Sequence, residues 1–122
     1  MKSFLIAGAL FSFCGVAIGA FAAHLLRTRL APDMFAVFEV GVRYHMYHAL
    51  ALLAVGWAAG QFPGTDFSWT GYCFIAGILL FSGSLYLLAL TDQRWFGMIT
   101  PAGGICFLAG WLLFAWRVWK SV

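Results

Sequence analysis

The residues of this 122-residue chain that are able to do chemistry are three histidines, a set of hydroxyls and a few charges. Glu39 and Arg43 stand four apart, the spacing of an ion pair on one helix face. Tyr44 and His48 repeat that spacing. His45 and His48, three apart, lie about 60° from one another around a helix. Ser82, Ser84, Tyr86 and Thr100 add hydroxyl donors and acceptors further along. Imidazole exchanges protons near neutral pH, which makes His24 and His48 candidates for that role, with the hydroxyls supplying hydrogen bonds. The same two histidines are the candidate ligands of a bound haem or metal. Cys14, Cys73 and Cys106 lie singly inside apolar runs without CxxC spacing, so they read as small, buried, reduced side chains. No serine occupies a nucleophile motif and no inward acid is placed to orient a histidine, which disfavours hydrolysis.

The elements that must position these residues follow from composition. Hydrophobic residues make up 64% of the chain and charged residues 9%, where a soluble domain carries roughly a quarter charged. The bilayer is therefore the expected solvent and the first partner. Four apolar runs, near 4–26, 40–60, 68–90 and 95–117, are each long enough to span hydrocarbon as a helix. The expected fold is all-α: one integral membrane domain over 1–122, a four-transmembrane-helix antiparallel bundle. Before the second span, Met34, Phe35, Phe38 and Val42 make one apolar face after Pro32, which predicts a short interfacial helix continuing into that span. Pro63-Gly64 marks a turn, and Asp92-Gln93-Arg94 predicts a tight hairpin between the last two spans.

Trp57, Trp69, Trp95, Trp116 and Trp119 fall near span ends, as an aromatic belt requires, and Tyr44 and Tyr47 read as further belt residues with wet hydroxyls. Lys2, an apolar run and Ala20-Phe21-Ala22 have the outline of a signal peptide. The run is long for one and charges follow it closely, so it reads as a retained span. Arg27, Arg29, Arg43 and Arg94 stand against Lys2, Arg117 and Lys120, a balance that does not settle orientation; the C-terminal pair, expected in an unstructured tail, leans slightly toward both termini in the cytoplasm. No basic patch or nucleic-acid module is present, and no nucleic-acid partner is expected.

Helices in lipid associate through small residues and occasional hydrogen bonds. Gly15 and Gly19 form a GxxxG pair, and Ala102, Cys106 and Gly110 a similar stripe. Such stripes serve the bundle, a homo-oligomer or another membrane protein. Pro101 is expected to kink the last span, freeing carbonyls near Gly97, while Gly103 and Gly104 allow close approach.

Antiparallel spans place the first and third loops on one side. His24 then ends the first span. Arg43, Tyr44, His45, Tyr47 and His48 open the second, and Ser82, Ser84 and Tyr86 close the third. Thr100 follows the last loop. Polar groups in hydrocarbon are costly unless paired or wetted, so their gathering in one half predicts a shared, partly hydrated pocket. His24 and His48 are expected at similar depth, facing one another.

Four segments carry a resemblance: residues 19–24 (GAFAAH), 44–53 (YHMYHALALL), 81–90 (FSGSLYLLAL) and 100–113 (TPAGGICFLAGWLL). They resemble, in order, motifs of domain-of-unknown-function family 423, the YgdD/YwdK-like small membrane proteins. Ala22 stands where that family usually has glycine, and His45 where glutamine is more usual. The resemblance implies four transmembrane helices and no established substrate, reaction or cofactor. Its motifs include His24, Tyr44, His48, Ser82, Ser84, Tyr86, Thr100 and Pro101.

The resulting expectation is a non-enzymatic multi-pass protein of a bacterial inner (plasma) membrane. Its vestibule of His24, Arg43, Tyr44, His48, Ser82, Ser84, Tyr86 and Thr100 would bind or pass a small solute, proton or lipid head group. The alternatives are a haem, metal or quinone site, or an assembly partner of a larger membrane complex.

Overall fold

The computed structural model describes residues 2–121. Among them the chain is all-helical, with four long helical runs: α1 (Lys2–Leu26), α2 (Pro32–Gln61), α3 (Ser68–Thr91) and α4 (Thr100–Lys120), the last preceded by a 3₁₀ segment, Arg94–Met98. Three of these, α1, α3 and the run Arg94–Lys120, are long and apolar enough to cross a membrane. α2 is longer, at 30 residues, but Glu39, Arg43 and its tyrosines and histidines dilute its apolar character.

Local chemistry accounts for the boundaries. Pro32 takes the first position of α2, where its missing N–H costs nothing. Nothing between Asp33 and Gln61 breaks the helix, so the short interfacial helix expected before the second span is the first part of one continuous element. Asp66 accepts the Ser68 N–H at 2.9 Å as α3 begins. Hydrogen bonding from the Ser68 side chain and backbone holds the Asp66 carboxyl below the usual carboxylate range. α3 ends at Asp92, whose φ of 56° is left-handed, a conformation aspartate tolerates at a helix end. Pro101 lies in the first turn of α4, not two turns inside a helix. The expected kink is therefore a 3₁₀-to-α junction, and a Cβ at Gly97 would meet only Leu88, at 3.8 Å.

Two helices carry a wide turn of π geometry, Ala17–Ala22 in α1 and Ile78–Ser82 in α3. Neither contains proline. Each locally shifts the phase of the side chains that follow.

The helices pack in chain order: α1 on α2, α2 on α3, α3 on α4. Because α2 and α4 meet sparsely, the arrangement is an open row with a cleft between them. Only 17% of the residues in the spanning windows of α1 and of Arg94–Lys120 are buried, against 44% for α3. The helix with the most polar side chains, α2, is walled on both sides, by α1 and α3; its Ala49, Leu52 and Val55 are fully enclosed.

Glycines set the register. In the first pair Gly8 lies against Ala49 and Leu53, Gly15 against His45 and Met46, and Gly19 against Val42. The GxxxG pair is thus spent inside the molecule. In the last pair Gly77 receives the Phe107 ring, Gly103 abuts the Phe81 backbone, and Gly110 faces Phe74. The working stripe of α4 is Gly103–Phe107–Gly110, since Ala102 is exposed and Cys106 half-buried. Phe4, Leu52, Val55, Phe67, Phe74 and Phe107 form the main core; Met34, Leu85 and Leu88 form a smaller one near the first and third loops.

Candidate functional site

Four of the five buried polar side chains, His45, His48, Ser82 and Ser84, join neighbouring helices; the hydroxyl of the fifth, Thr70, has no hydrogen-bond partner among the described residues. Ser82 and Ser84, two apart, point to opposite sides of α3, about 200° apart. α3 lies between α2 and α4, so each serine meets a different neighbour. The Ser82 hydroxyl donates to the Gly41 carbonyl of α2 at 2.7 Å. Ser84 donates to the Phe81 carbonyl at 2.9 Å, which leaves its oxygen to accept from the Thr100 hydroxyl at 2.6 Å.

The two buried histidines, His45 and His48, are bonded through both ring nitrogens. His45 Nε2 lies 2.8 Å from the Phe11 carbonyl, which only accepts, so Nε2 carries the proton and Nδ1 accepts from the Tyr86 hydroxyl at 2.9 Å. One imidazole thereby ties α2 to α1 and α3. In His48 the proton sits on Nδ1, which donates to the Tyr44 carbonyl at 2.8 Å. Its Nε2 accepts the Trp111 indole N–H at 3.0 Å. The His48 ring also lies flat on Phe107, with centroids 3.5 Å apart and planes 9° from parallel.

A hydroxyl pair in an apolar setting is worth little on average, with couplings near 0.6 kcal/mol. Ser84→Ala and Thr100→Val are each expected to lower unfolding stability in detergent by about 1 kcal/mol. The double variant is expected to lose about 0.6 kcal/mol less than the sum. Strict additivity would mean that the two hydroxyls do not interact.

Two cavities adjoin this framework. A groove of about 640 Å³ fills the cleft between α2 and α4, lined by Tyr44, Tyr47 and His48 on one side and by Pro101, Gly104 and Trp111, among others, on the other. Its walls are chiefly apolar and it opens sideways. The second cavity, about 230 Å³ and chiefly polar, lies where α1 turns into α2, and is lined by Gly19, Ala20, Ala23, His24, Arg27, Phe35 and Glu39. The Arg27 guanidinium stands 6.0 Å from the centre of the Phe35 ring, within the reach of a cation–π contact. The wide turn of α1 supplies two of the small residues of its floor.

A family model described as protein of unknown function, DUF423, matches residues 18–104. A UPF0382 membrane protein of Staphylococcus saprophyticus is 44% identical over 98% of this chain and 99% of its own. The UPF0382 membrane protein YwdK of Bacillus subtilis is 43% identical over 93% of each. The chain belongs to the DUF423 family. With relatives named as membrane proteins in Bacillus and Staphylococcus, and three helices able to span, it is a multi-pass membrane protein of bacterial type. No solved structure matches it.

The structure distributes the expected DUF423 site residues instead of gathering them. Tyr44 and His48 line the groove, with Pro101 and Gly104. His24 lines the polar cavity alone among them. Ser82, Ser84, Tyr86 and Thr100 are engaged between helices. Arg43 is exposed and makes no ion pair with Glu39; the pair that forms is Arg94–Asp92, at 3.7 Å and exposed, where such pairs contribute little.

His24 and His48 do not face one another. The register sets His24 beside Phe35 and Glu39, and His48 lies nine positions past Glu39, roughly 13 Å deeper along the helix. Each His48 nitrogen is already bonded, and among the described residues no three His, Cys, Asp or Glu gather around a metal-sized space. Cys14 is exposed, Cys73 and Cys106 half-buried.

Sequence reasoning passed over Trp111, Tyr47, Arg27 and Glu39 as site residues, and set His45 aside. The signal for Trp111 was present: it is the tryptophan far from any span end, and an indole N–H within hydrocarbon requires an acceptor. For His45 the usual family glutamine was itself the clue. An amide, like a neutral imidazole, offers one donor and one acceptor, which is what Phe11 and Tyr86 require.

Proposed function

We propose that this DUF423 protein is a four-span, non-enzymatic protein that binds a phospholipid head group at the mouth of its first helical hairpin. The observation that carries the proposal is a polar cavity holding a guanidinium, an imidazole and a carboxylate together, at Arg27, His24 and Glu39. Counting α2 as a span rests on its packing: its middle lies against α1 and α3, both long and apolar enough to cross, so it shares their depth. The cavity then falls where α1 leaves the hydrocarbon, the level at which head groups lie.

Both signs of charge suit a zwitterion. Arg27 and His24 offer donors to a phosphate, and the Glu39 carboxylate accepts from an ammonium. The Phe35 ring faces the Arg27 guanidinium, 6.0 Å away. Binding is favoured over passage because the middle of the row is dry, with Leu52, Val55 and Phe74 fully enclosed. The buried imidazoles of His45 and His48 and the hydroxyls of Ser82 and Ser84 are engaged in structural bonds, which favours a binding protein over an enzyme.

Lipid retention during detergent delipidation, read by native mass spectrometry, tests this. Arg27→Gln is expected to reduce retained phosphatidylethanolamine and phosphatidylglycerol alike, by about tenfold, the worth of one charge-assisted hydrogen bond. Glu39→Gln is expected to reduce phosphatidylethanolamine alone. Unchanged retention in the double variant His24→Gln, Arg27→Gln would refute the proposal.

A further inference from the structure

The lateral groove poses a separate problem. Tyr44 and Tyr47 line it, 39% and 55% exposed. Among the described residues neither hydroxyl has a hydrogen-bond partner; the Tyr44 contact to His48 is through its backbone carbonyl. Both residues lie near the middle of α2. Tyr44 is twelve positions past Pro32 and seventeen before Gln61, roughly 18 and 25 Å along the axis. On the four-span reading Tyr44 and Tyr47 lie five and eight positions past Glu39 of the head-group cavity, roughly 8 and 12 Å deeper along the axis, so their hydroxyls open onto hydrocarbon. A polar group so placed is costly unless an acceptor meets it.

The surroundings narrow what the acceptor is. The groove opens sideways, so its occupant enters from within the bilayer. Its back wall is a set of rings: His48 lies flat on Phe107, Tyr44 is tilted over Phe81 with centroids 4.8 Å apart, and Trp111 closes one end. The Trp111 N–H is occupied by His48, so the two phenols are the donors left to an occupant. On α4, Pro101 and Gly104 present little bulk, and a Cβ at Gly104 would have only Phe81 near it, at 3.9 Å. The volume, about 640 Å³, suits a small-molecule site.

A lipid acyl chain would fill the space but leave both hydroxyls unmet. A second copy of the chain would bring helices whose carbonyls are tied into their own backbones. We infer that the groove binds a flat, lipid-soluble molecule with carbonyl acceptors, of the quinone class, to which Tyr44 and Tyr47 donate. The inference concerns binding only, and it shares the four-span reading but neither the residues nor the ligand of the head-group cavity.

Photolabelling of the full chain in nanodiscs with an azido benzoquinone bearing a ten-carbon tail, mapped by peptide mass spectrometry, tests it. Labelling is expected on the segment around Pro101–Trp111, competed by unlabelled decyl-benzoquinone and not by decylbenzene. Tyr44→Phe with Tyr47→Phe is expected to weaken competition tenfold or more. Gly104→Leu is expected to abolish labelling while the protein keeps its wild-type unfolding midpoint, because the new side chain grows into the groove. Equal competition by decylbenzene, or an undiminished signal in the tyrosine variant, would overturn the inference in favour of an acyl chain. Disulfide-linked dimers from Leu108→Cys that exclude the label would overturn it in favour of a second copy. Loss of phospholipid retention in Arg27→Gln with labelling intact would separate the two sites.

Discussion

Gly103→Ala is expected to destabilise the protein by about 2–3 kcal/mol, whereas Gly104→Ala, one residue on, is expected to leave stability within about 0.5 kcal/mol. A methyl group on Gly103 would fall 2.7 Å from the Phe81 Cα and closer still to its backbone nitrogen. Backbone cannot rotate away as the end of a side chain can, so α3 and α4 must separate. Separation loosens the Ser84–Thr100 bond and the Phe107 ring in its seat at Gly77. At Gly104 the same methyl group meets Phe81 Cδ2 at 3.9 Å, an ordinary contact, and gains the helix propensity of alanine. Unfolding of both variants in mixed detergent micelles measures the difference. Equal effects at the two positions would mean that α3 and α4 do not pack in this register.

His45→Leu is expected to cost about 2 kcal/mol, while His45→Gln costs less than about 0.5. Leucine suits the surrounding hydrocarbon better than imidazole, so a residue serving only to fill space would be improved by it. The loss is expected because the Tyr86 hydroxyl, 2.9 Å from His45 Nδ1, would be orphaned inside the protein, and the link to the Phe11 carbonyl of α1 would go with it. Glutamine restores a donor and an acceptor on one side chain. The decisive comparison is His45→Leu combined with Tyr86→Phe: deleting both partners removes the orphan, so the pair is expected to be more stable than His45→Leu alone. A double variant no better than the single would show that Tyr86 does not depend on His45.

The long apolar runs, the short hairpins and the small residues at helix contacts were legible because each is a local property of the chain. So was the list of unusual polar residues, most of which are buried or line a cavity. Register was not legible. The stretch after Pro32 is expected to run on into the second span, and α2 is continuous from Pro32 to Gln61. No local pattern says which residues of α1 meet which of α2: the packing sets His24 beside Phe35 and Glu39, away from His48, and two cavities of different character stand in place of the expected common pocket. The wide turns at Ala17–Ala22 and Ile78–Ser82 have no signature residue.

The open row of helices bears on biogenesis. Almost every tertiary contact joins a helix to the one just before it in the chain, so each hairpin completes an interface as soon as its second helix emerges. Assembly can proceed largely in step with synthesis, with short loops to close. Few contacts cross this order: the Phe4 ring against Gly71 on α3, and His48 of α2 against Phe107 and Trp111 of α4. The first brings the start of the chain to the third helix and checks docking before α4 has been made; the second closes only when α4 arrives.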